Sequence, residues 1–219
     1  RETVTGIQRM RLMIQPLAAA RFCVPFAVTI ALSIAVAHAA DDAGPESPGT
    51  PEKTREVKVD DITLVVPESW KQEETRGPFR VAQFQIPPVE GDEEPAELVV
   101  SFFEGSVGGV EANIQRWFGQ FESKGRKASA SEGASKQGNY AIADISGTYN
   151  KPVGPPIRRQ TQPMPGARML AALLAVEKKG TYTLKLTGPE KTVSAAAGAF
   201  RKSFAADPAQ EKELKPGAE

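Results

Sequence analysis

Residues 168–204 read RMLAALLAVEKKGTYTLKLTGPEKTVSAAAGAFRKSF and form the most complete structural pattern in the chain. The apolar run at the start predicts a strand, and Lys178-Lys179-Gly180 predicts a tight turn after it. Alternating apolar side chains from Thr181 to Thr187 predict a second strand, which Pro189 ends. Apolar positions at helical spacing over residues 193–204 then predict an amphipathic helix. The stretch therefore indicates a two-stranded hairpin with a helix lying on the sheet.

The first 39 residues have the pattern of a secretory signal. Arg9, Arg11 and Arg21 precede an apolar run over residues 22–36, which ends in Ala37-His38-Ala39. The alternative is a retained membrane anchor, but the run is short for a span of about 20 residues and Pro25 interrupts it. We therefore expect cleavage after Ala39, no stable membrane insertion afterwards, and a periplasmic or secreted protein.

Cleavage at that point would limit the chemistry of the mature chain. Cys23 and His38 are the only cysteine and histidine among the 219 residues, and both lie in the predicted signal. Without them a Ser-His-Asp triad, a Cys-His pair and a typical zinc site are excluded. We predict no catalytic constellation, no metal and no cofactor.

The charge of the mature chain gives no indication of a nucleic-acid partner. Removing residues 1–39 takes four arginines and one glutamate from 27 basic and 27 acidic side chains, which leaves a net charge of −3. A mildly acidic protein has no electrostatic reason to bind DNA. We therefore exclude nucleic acid as a partner.

The rest of the chain divides into a linker, one domain and a tail. Residues 40–56 are polar and proline-rich, so they predict a flexible linker. Residues 57–204 predict a single α/β domain, and residues 205–219 a disordered tail. An aromatic stripe over residues 110–121 predicts a core helix, and five acids in residues 89–97 predict a solvated hairpin loop rather than a calcium loop.

A proline-rich segment over residues 151–167 is the clearest candidate for a contact surface. It holds five prolines and the pair Arg158-Arg159, and Arg168 follows it. A loop of this length inside a domain is usually functional or disordered. Its guanidinium groups would suit an acidic partner, although a solvated hairpin excursion is the alternative. We predict that Arg158, Arg159 and Arg168 bind the partner.

Several motifs resemble known families. The segment ITLVVPESW at residues 62–70 and the closing strand and helix at residues 181–204 resemble PsbP-like proteins. The motifs VPESW, RVAQFQIP, VEANIQRWFGQF, ISGTY, RMLAALL and LTGPEKTV are similar to an uncharacterised exported protein family of planctomycetes and related bacteria, over residues 57–204. The PsbP-like resemblance implies an α+β fold, with an antiparallel β-sheet flanked by helices in an α/β/α sandwich, and a non-catalytic binding or assembly role.

Three functions follow as hypotheses. The preferred one is a monomeric, exported, non-catalytic binding or assembly module of the cell envelope, whose partner is an envelope protein or a small ligand. The second is a carboxylate-based hydrolase of envelope glycans, with Asp144 and Glu177 as its candidate acids. The third is a carrier of a small apolar ligand in a cavity between sheet and helix, where residues 195–198 leave room.

Overall fold

Ten β-strands and two α-helices are formed by the residues that the structure, a computed structural model, describes: 52–75, 77–105, 107–154 and 156–215. The strands are β1 (Thr54–Val59), β2 (Ile62–Pro67), β3 (Lys71–Gln72), β4 (Arg80–Ile86), β5 (Ala96–Phe103), β6 (Lys127–Ser135), β7 (Gly138–Pro152), β8 (Thr161–Val176), β9 (Gly180–Pro189) and β10 (Lys212–Glu213). The helices are α1 (Val110–Phe118) and α2 (Glu190–Ser203), with short 3-10 helices at Pro156–Arg158 and Pro208–Gln210. The predicted signal, residues 1–39, lies outside the described residues.

Eight strands form one antiparallel sheet in the order β10-β6-β7-β8-β9-β5-β4-β3, while β1 and β2 form a separate hairpin. The unit predicted for residues 168–204 is confirmed, because β8, β9 and α2 follow one another there. β9 pairs with β8 on one side and with β5 on the other. It is therefore a central strand, with both of its edges paired.

One face of the sheet carries α2 and the β1–β2 hairpin. Tyr182, Leu184 and Leu186 of β9 are buried on this face, as their alternation predicts. Phe200 and Phe204 of α2 join the same cluster, with their ring centroids 5.6 Å apart in an edge-to-face arrangement. Because burial of each such side chain contributes about 1.5–3 kcal/mol, this face holds much of the stabilising core.

The opposite face is covered only in part, by α1 and the residues after it. Ile114, Trp117 and Phe121 are buried against side chains of β6, β7 and β8. The predicted aromatic stripe is thus core at these positions, although Val110 at its start is exposed. The side chains of β9, β5 and β4 on this face line an open cleft instead.

The protein is a mainly antiparallel β-sheet with two helices, in agreement with the predicted α+β class. The α/β/α sandwich implied by the resemblance is not established, because the structure is rich in sheet and α1 covers only one part of its face. None of the described helices has the length and apolar character needed to cross a membrane.

The structure changes two predicted boundaries. β1 begins at Thr54, within the predicted linker of residues 40–56, of which residues 40–51 lie outside the described part. The predicted disordered tail of residues 205–219 is wrong for residues 208–214. β10 pairs with β6 there, and Glu211 bonds to Arg201 of α2 at 3.0 Å. Specific anchors therefore order a segment that lacks an apolar pattern.

Candidate functional site

The paired strands β7 and β8 extend beyond their neighbours in the sheet and form a two-stranded arm. β6 pairs only with residues 138–146 of β7, and β9 only with residues 167–176 of β8. The strands continue to pair with each other as far as Pro152 and Thr161. We call residues 147–166 the β7–β8 arm, and residues 153–160 its tip.

The arm corrects the predicted proline-rich loop of residues 151–167. Residues 161–167 belong to β8, where Pro163 pairs with Asn150 and Met164 with Tyr149. Proline lacks an N–H donor but is tolerated at a sheet edge, and this part of β8 has no further neighbour beyond it. The irregular loop is therefore confined to the tip.

The tip presents one apolar and two basic side chains to solvent. Ile157 is 90% exposed, and Arg158 and Arg159 are also exposed. Arg159 has a φ of 48°, in the left-handed region that non-glycine residues seldom adopt. Neither guanidinium has a carboxylate partner among the described residues, so both are available to an external acid.

Arg168 does not join them. Its Nε and Nη2 atoms bond to Oδ1 and Oδ2 of Asp144 at 2.9 and 2.7 Å, and Nη1 donates to Ser194 of α2 at 2.7 Å. The hydrogen bond to Asp144 raises the pKa of Arg168 above its ordinary value. Seven residues of strand, or about 23 Å, separate Arg168 from Thr161 beside the tip. Arg168 therefore fastens α2 to the sheet.

This pairing also bears on the hydrolase hypothesis. Asp144 lies opposite Leu170, whereas Glu177 follows the far end of β8 and pairs with Lys178 in solvent at 3.7 Å. Seven residues of extended strand put the two carboxyl groups about 20 Å apart, while glycosidase carboxyls lie about 5–10 Å apart. The two acids cannot act on one glycosidic bond.

Replacing Asp144 with asparagine tests this structural role. We expect Asp144→Asn to lower the free energy of unfolding by about 1–2 kcal/mol, because a bidentate, partly buried ion pair is lost. Urea denaturation of the variant measures the change, with Glu177→Gln as a matched control expected within about 0.5 kcal/mol of the wild type. Equal stability of Asp144→Asn and Glu177→Gln would contradict the assignment.

The predicted apolar cavity between sheet and α2 is not where the structure places open space. Ala195 and Gly198 are exposed on the outer side of α2, and Val193, Ala196 and Phe200 fill the inner side. The small residues therefore leave no room for a ligand there. The larger cleft lies on the opposite face of the sheet, and its lining is mixed polar and apolar.

That cleft has a volume of about 540 Å³, within the range of small-molecule sites. Its floor consists of alternate residues of β9, β5 and β4. Residues that pair across these strands form three rows. Tyr149 and Met164 of the β7–β8 arm form a wall. The three rows are Thr187–Glu97–Gln85, Lys185–Val99–Gln83 and Thr183–Ser101–Arg80.

Lys185 lies at the centre of the floor. Its Nζ atom donates to Oε1 of Gln120 at 2.6 Å and to the Tyr149 hydroxyl at 3.2 Å. Burial lowers the pKa of Lys185 to about 8 and raises the pKa of Tyr149 to about 12. At neutral pH the pair is therefore a mostly protonated ammonium beside a neutral phenol.

Three of the remaining floor residues form a hydrogen-bonded chain. Arg80 donates to Oε1 of Gln83 at 2.9 Å, and Nε2 of Gln83 donates to Glu97 at 2.7 Å. The buried Oγ1 atom of Thr187 has no hydrogen-bond partner among the described residues. A buried hydroxyl without a partner lowers the stability of the fold.

The sequence analysis did not identify this cleft. The predicted alternation of β9 puts Lys185 and Thr183 on the face opposite Tyr182, which is where they lie, but it assigns that face no role. The missing information was the position of β9 in the middle of the sheet, where a lysine is largely buried between neighbouring strands. Pattern alone does not reveal that β5 is the second neighbour of β9.

Comparisons with known proteins give fold similarity only. No protein-family model matches the chain, and no curated protein sequence matches it. Among solved structures, cyanobacterial PsbP from Synechocystis is similar at 14% identity and a TM-score of 0.45, covering 78% of this chain and 99% of that one. The Ran-binding protein Mog1p of Saccharomyces cerevisiae is similar at 14% identity and a TM-score of 0.42, covering 70% and 93%.

Both structures are only 14% identical to this chain, with TM-scores of 0.45 and 0.42, so neither assigns a family or a function to it. The prediction of an exported planctomycete family stays a prediction. Within the described residues, no group of three or more histidine, cysteine, aspartate or glutamate side chains could hold a metal ion. In the acidic loop, Asp92 accepts hydrogen bonds from the backbone N–H and hydroxyl of Thr192 in the first turn of α2.

Proposed function

We propose that the protein is an exported, non-catalytic binding module of the cell envelope, with a PsbP-like α/β/α framework, that engages an acidic protein partner through the arm tip. The observation that carries the proposal is the tip itself. The tip of a two-stranded arm carries an exposed isoleucine and two exposed arginines without a carboxylate partner among the described residues. The proposed location rests on the signal-like pattern of residues 1–39.

The chemistry of the tip favours a protein surface with carboxylates. Arginine forms bidentate hydrogen bonds with carboxylates and is enriched at protein interfaces. Ile157 between the arm and the arginines supplies an apolar contact that a purely electrostatic site would lack. An interface of this kind combines a small apolar anchor with charge complementarity, which gives specificity and fast association.

Replacing both tip arginines tests the proposal. We expect Arg158→Ala/Arg159→Ala to weaken binding of the acidic envelope partner by about tenfold or more, because two charge-assisted contacts are lost. The measurement is affinity capture from a cell-envelope extract, followed by titration of the captured protein. The folded state should be unaffected, since both residues are exposed and neither forms an ion pair within the described structure.

A matched control is Lys124→Ala/Lys127→Ala, which removes two exposed charges near the base of the arm, at a distance from its tip. The control should retain the partner at wild-type affinity. Capture of the same proteins at the same affinity by the tip variant and by the wild type would contradict the proposal. Equal loss in the tip variant and the control would indicate a general charge effect and would also contradict it.

A further inference from the structure

The lysine at the centre of the cleft is a cation without a counter-ion. Lys185 donates only to neutral oxygens, and no carboxylate among the described residues lies within ion-pair distance of its Nζ atom. Every acid that lines the cleft already has a basic partner. The pairs are Arg80–Glu97 at 3.9 Å, Lys151–Glu94 at 3.7 Å and Lys71–Glu73 at 3.6 Å.

The Tyr149 hydroxyl beside Lys185 has donor capacity to spare. It accepts from Lys185, and no described residue accepts its own O–H. An ammonium and one hydroxyl donor thus line the same cleft.

From these observations we infer that the cleft binds a small organic monocarboxylate, whose oxygens accept hydrogen bonds from Lys185 and Tyr149. This site is separate from the arm tip and does not depend on the proposed protein partner. Donors that converge on a position where negative charge will sit are the usual means of holding a carboxylate. The ligand would supply the missing counter-ion of Lys185.

The charge of the cleft favours a ligand with a single negative charge. The lining holds three basic side chains (Arg80, Lys151 and Lys185) and three acidic ones (Glu73, Glu94 and Glu97), so its net charge is zero. A dianion such as phosphate would bring a second charge close to Glu97 and Glu94, at a cost in repulsion. Thr183, Ser101 and Gln85 add polar side chains along the floor, so the body of the ligand should carry hydroxyl or amide groups.

Binding should depend on pH through Lys185. Its pKa of about 8 is set by burial first, then by Glu97, which raises it, and Arg80, which lowers it. Tyr149 faces it from β7 and keeps its proton up to a pKa of about 12. An anion favours the protonated amine, so affinity is full below pH 8 and falls as the pH rises above it. Between pH 7 and pH 9 we expect a loss of about tenfold.

The test uses D-gluconate, a polyhydroxy monocarboxylate, and D-glucitol, which carries a hydroxymethyl group in place of the carboxylate. Each is titrated into the purified protein labelled with carbon-13 at lysine Cε, and the resonance of Lys185 is followed by NMR. We expect a saturable shift with gluconate at about millimolar concentration, the range of a weak small-ligand site. D-glucitol should give no saturable shift at equal concentration.

Variants separate this site from general charge effects. Lys185→Met should weaken gluconate binding by at least about tenfold, the effect of one strong charge-assisted contact. Lys151→Met is the matched control, because Lys151 also lines the cleft but is already paired with Glu94. It should change the affinity by less than about threefold. Thermal unfolding of both variants checks that they are folded.

Three results would overturn the inference. The first is the absence of a saturable Lys185 shift with gluconate up to about 50 mM, far above the expected range. The second is gluconate binding that is equal in the wild type and in Lys185→Met. The third is inorganic phosphate binding as tightly as gluconate, which would make the cleft a general anion site and not one for monocarboxylates.

Discussion

Glu211→Ala is expected to lower the free energy of unfolding by about 3 kcal/mol, because it leaves a nearly buried guanidinium without its carboxylate. Glu211 accepts from Nε of Arg201 at 3.0 Å, from Ser131 at 2.7 Å and from the Tyr140 hydroxyl at 3.3 Å. The side chains of Glu211 and Arg201 are only 10% and 17% exposed. One carboxylate thus joins α2, β6 and β7 to the C-terminal segment.

Urea denaturation measures this loss, and Glu213→Ala is the matched control. Glu213 is an exposed acid of β10 two residues away, so its removal should change stability by less than about 0.5 kcal/mol. A double-mutant cycle with Arg201→Met isolates the pair itself. If Glu211→Ala were as stable as Glu213→Ala, the C-terminal segment would not be anchored in the way described.

Lys185→Met is expected to have the opposite effect and to stabilise the protein by about 2 kcal/mol at pH 7. Burial lowers the pKa of Lys185 from 10.5 to about 8, and each pKa unit corresponds to about 1.4 kcal/mol. Methionine removes this penalty while filling a similar volume. The loss of the hydrogen bonds to Gln120 and Tyr149 offsets part of the gain.

The sign of the pH dependence follows from the direction of that shift. Below pH 8 the lysine is protonated in both the folded and the unfolded state, so the penalty is fully present. Between pH 8 and pH 10.5 the unfolded chain binds more protons than the folded one, and the stability of the wild type rises with pH. The difference in stability between Lys185→Met and the wild type should therefore fall by about 2.5 kcal/mol between pH 7 and pH 10, from about 2 kcal/mol in favour of the variant to about 0.5 kcal/mol in favour of the wild type.

Parallel urea denaturation curves at unit steps from pH 7 to pH 10 measure this difference. Lys151→Met provides the control, because Lys151 is largely exposed and should give a constant difference from the wild type. A Lys185→Met variant whose stability follows the wild type at every pH would show that the ammonium is well solvated. That result would also contradict the proposed monocarboxylate site, which depends on a Lys185 ammonium that is buried without a counter-ion.

Local pattern was sufficient for the elements around residues 168–204. The alternation of Tyr182, Leu184 and Leu186 and the helical spacing up to Phe204 are properties of consecutive residues, and both elements form where they were predicted. Pattern also predicted α1 from its aromatic stripe. In these elements one face is buried, so the spacing of apolar residues along the sequence follows the geometry of the strand or helix.

Features that depend on distant partners were not predicted. Arg168 reads as part of a basic surface, yet Asp144 on the neighbouring strand accepts both of its N–H groups. The prolines of residues 161–167 predict a loop, although an unpaired strand edge accommodates them. The cleft depends on β9 lying beside β5, and that adjacency is encoded in the whole sheet and not in either strand.

The pairing of β5 with β9 has a consequence for how the chain folds. Leu98 pairs with Leu186, 88 residues later in the sequence, so β4 and β5 are synthesised well before β9. Closing a loop of this length lowers the entropy of the chain before the strand pairs that offset this loss have formed. This slows the folding of sheets with non-local strand pairs. During that interval β5 is an unpaired edge open to other chains. β9, the strand that carries Lys185, is thus also the strand whose pairing with β5 completes the sheet.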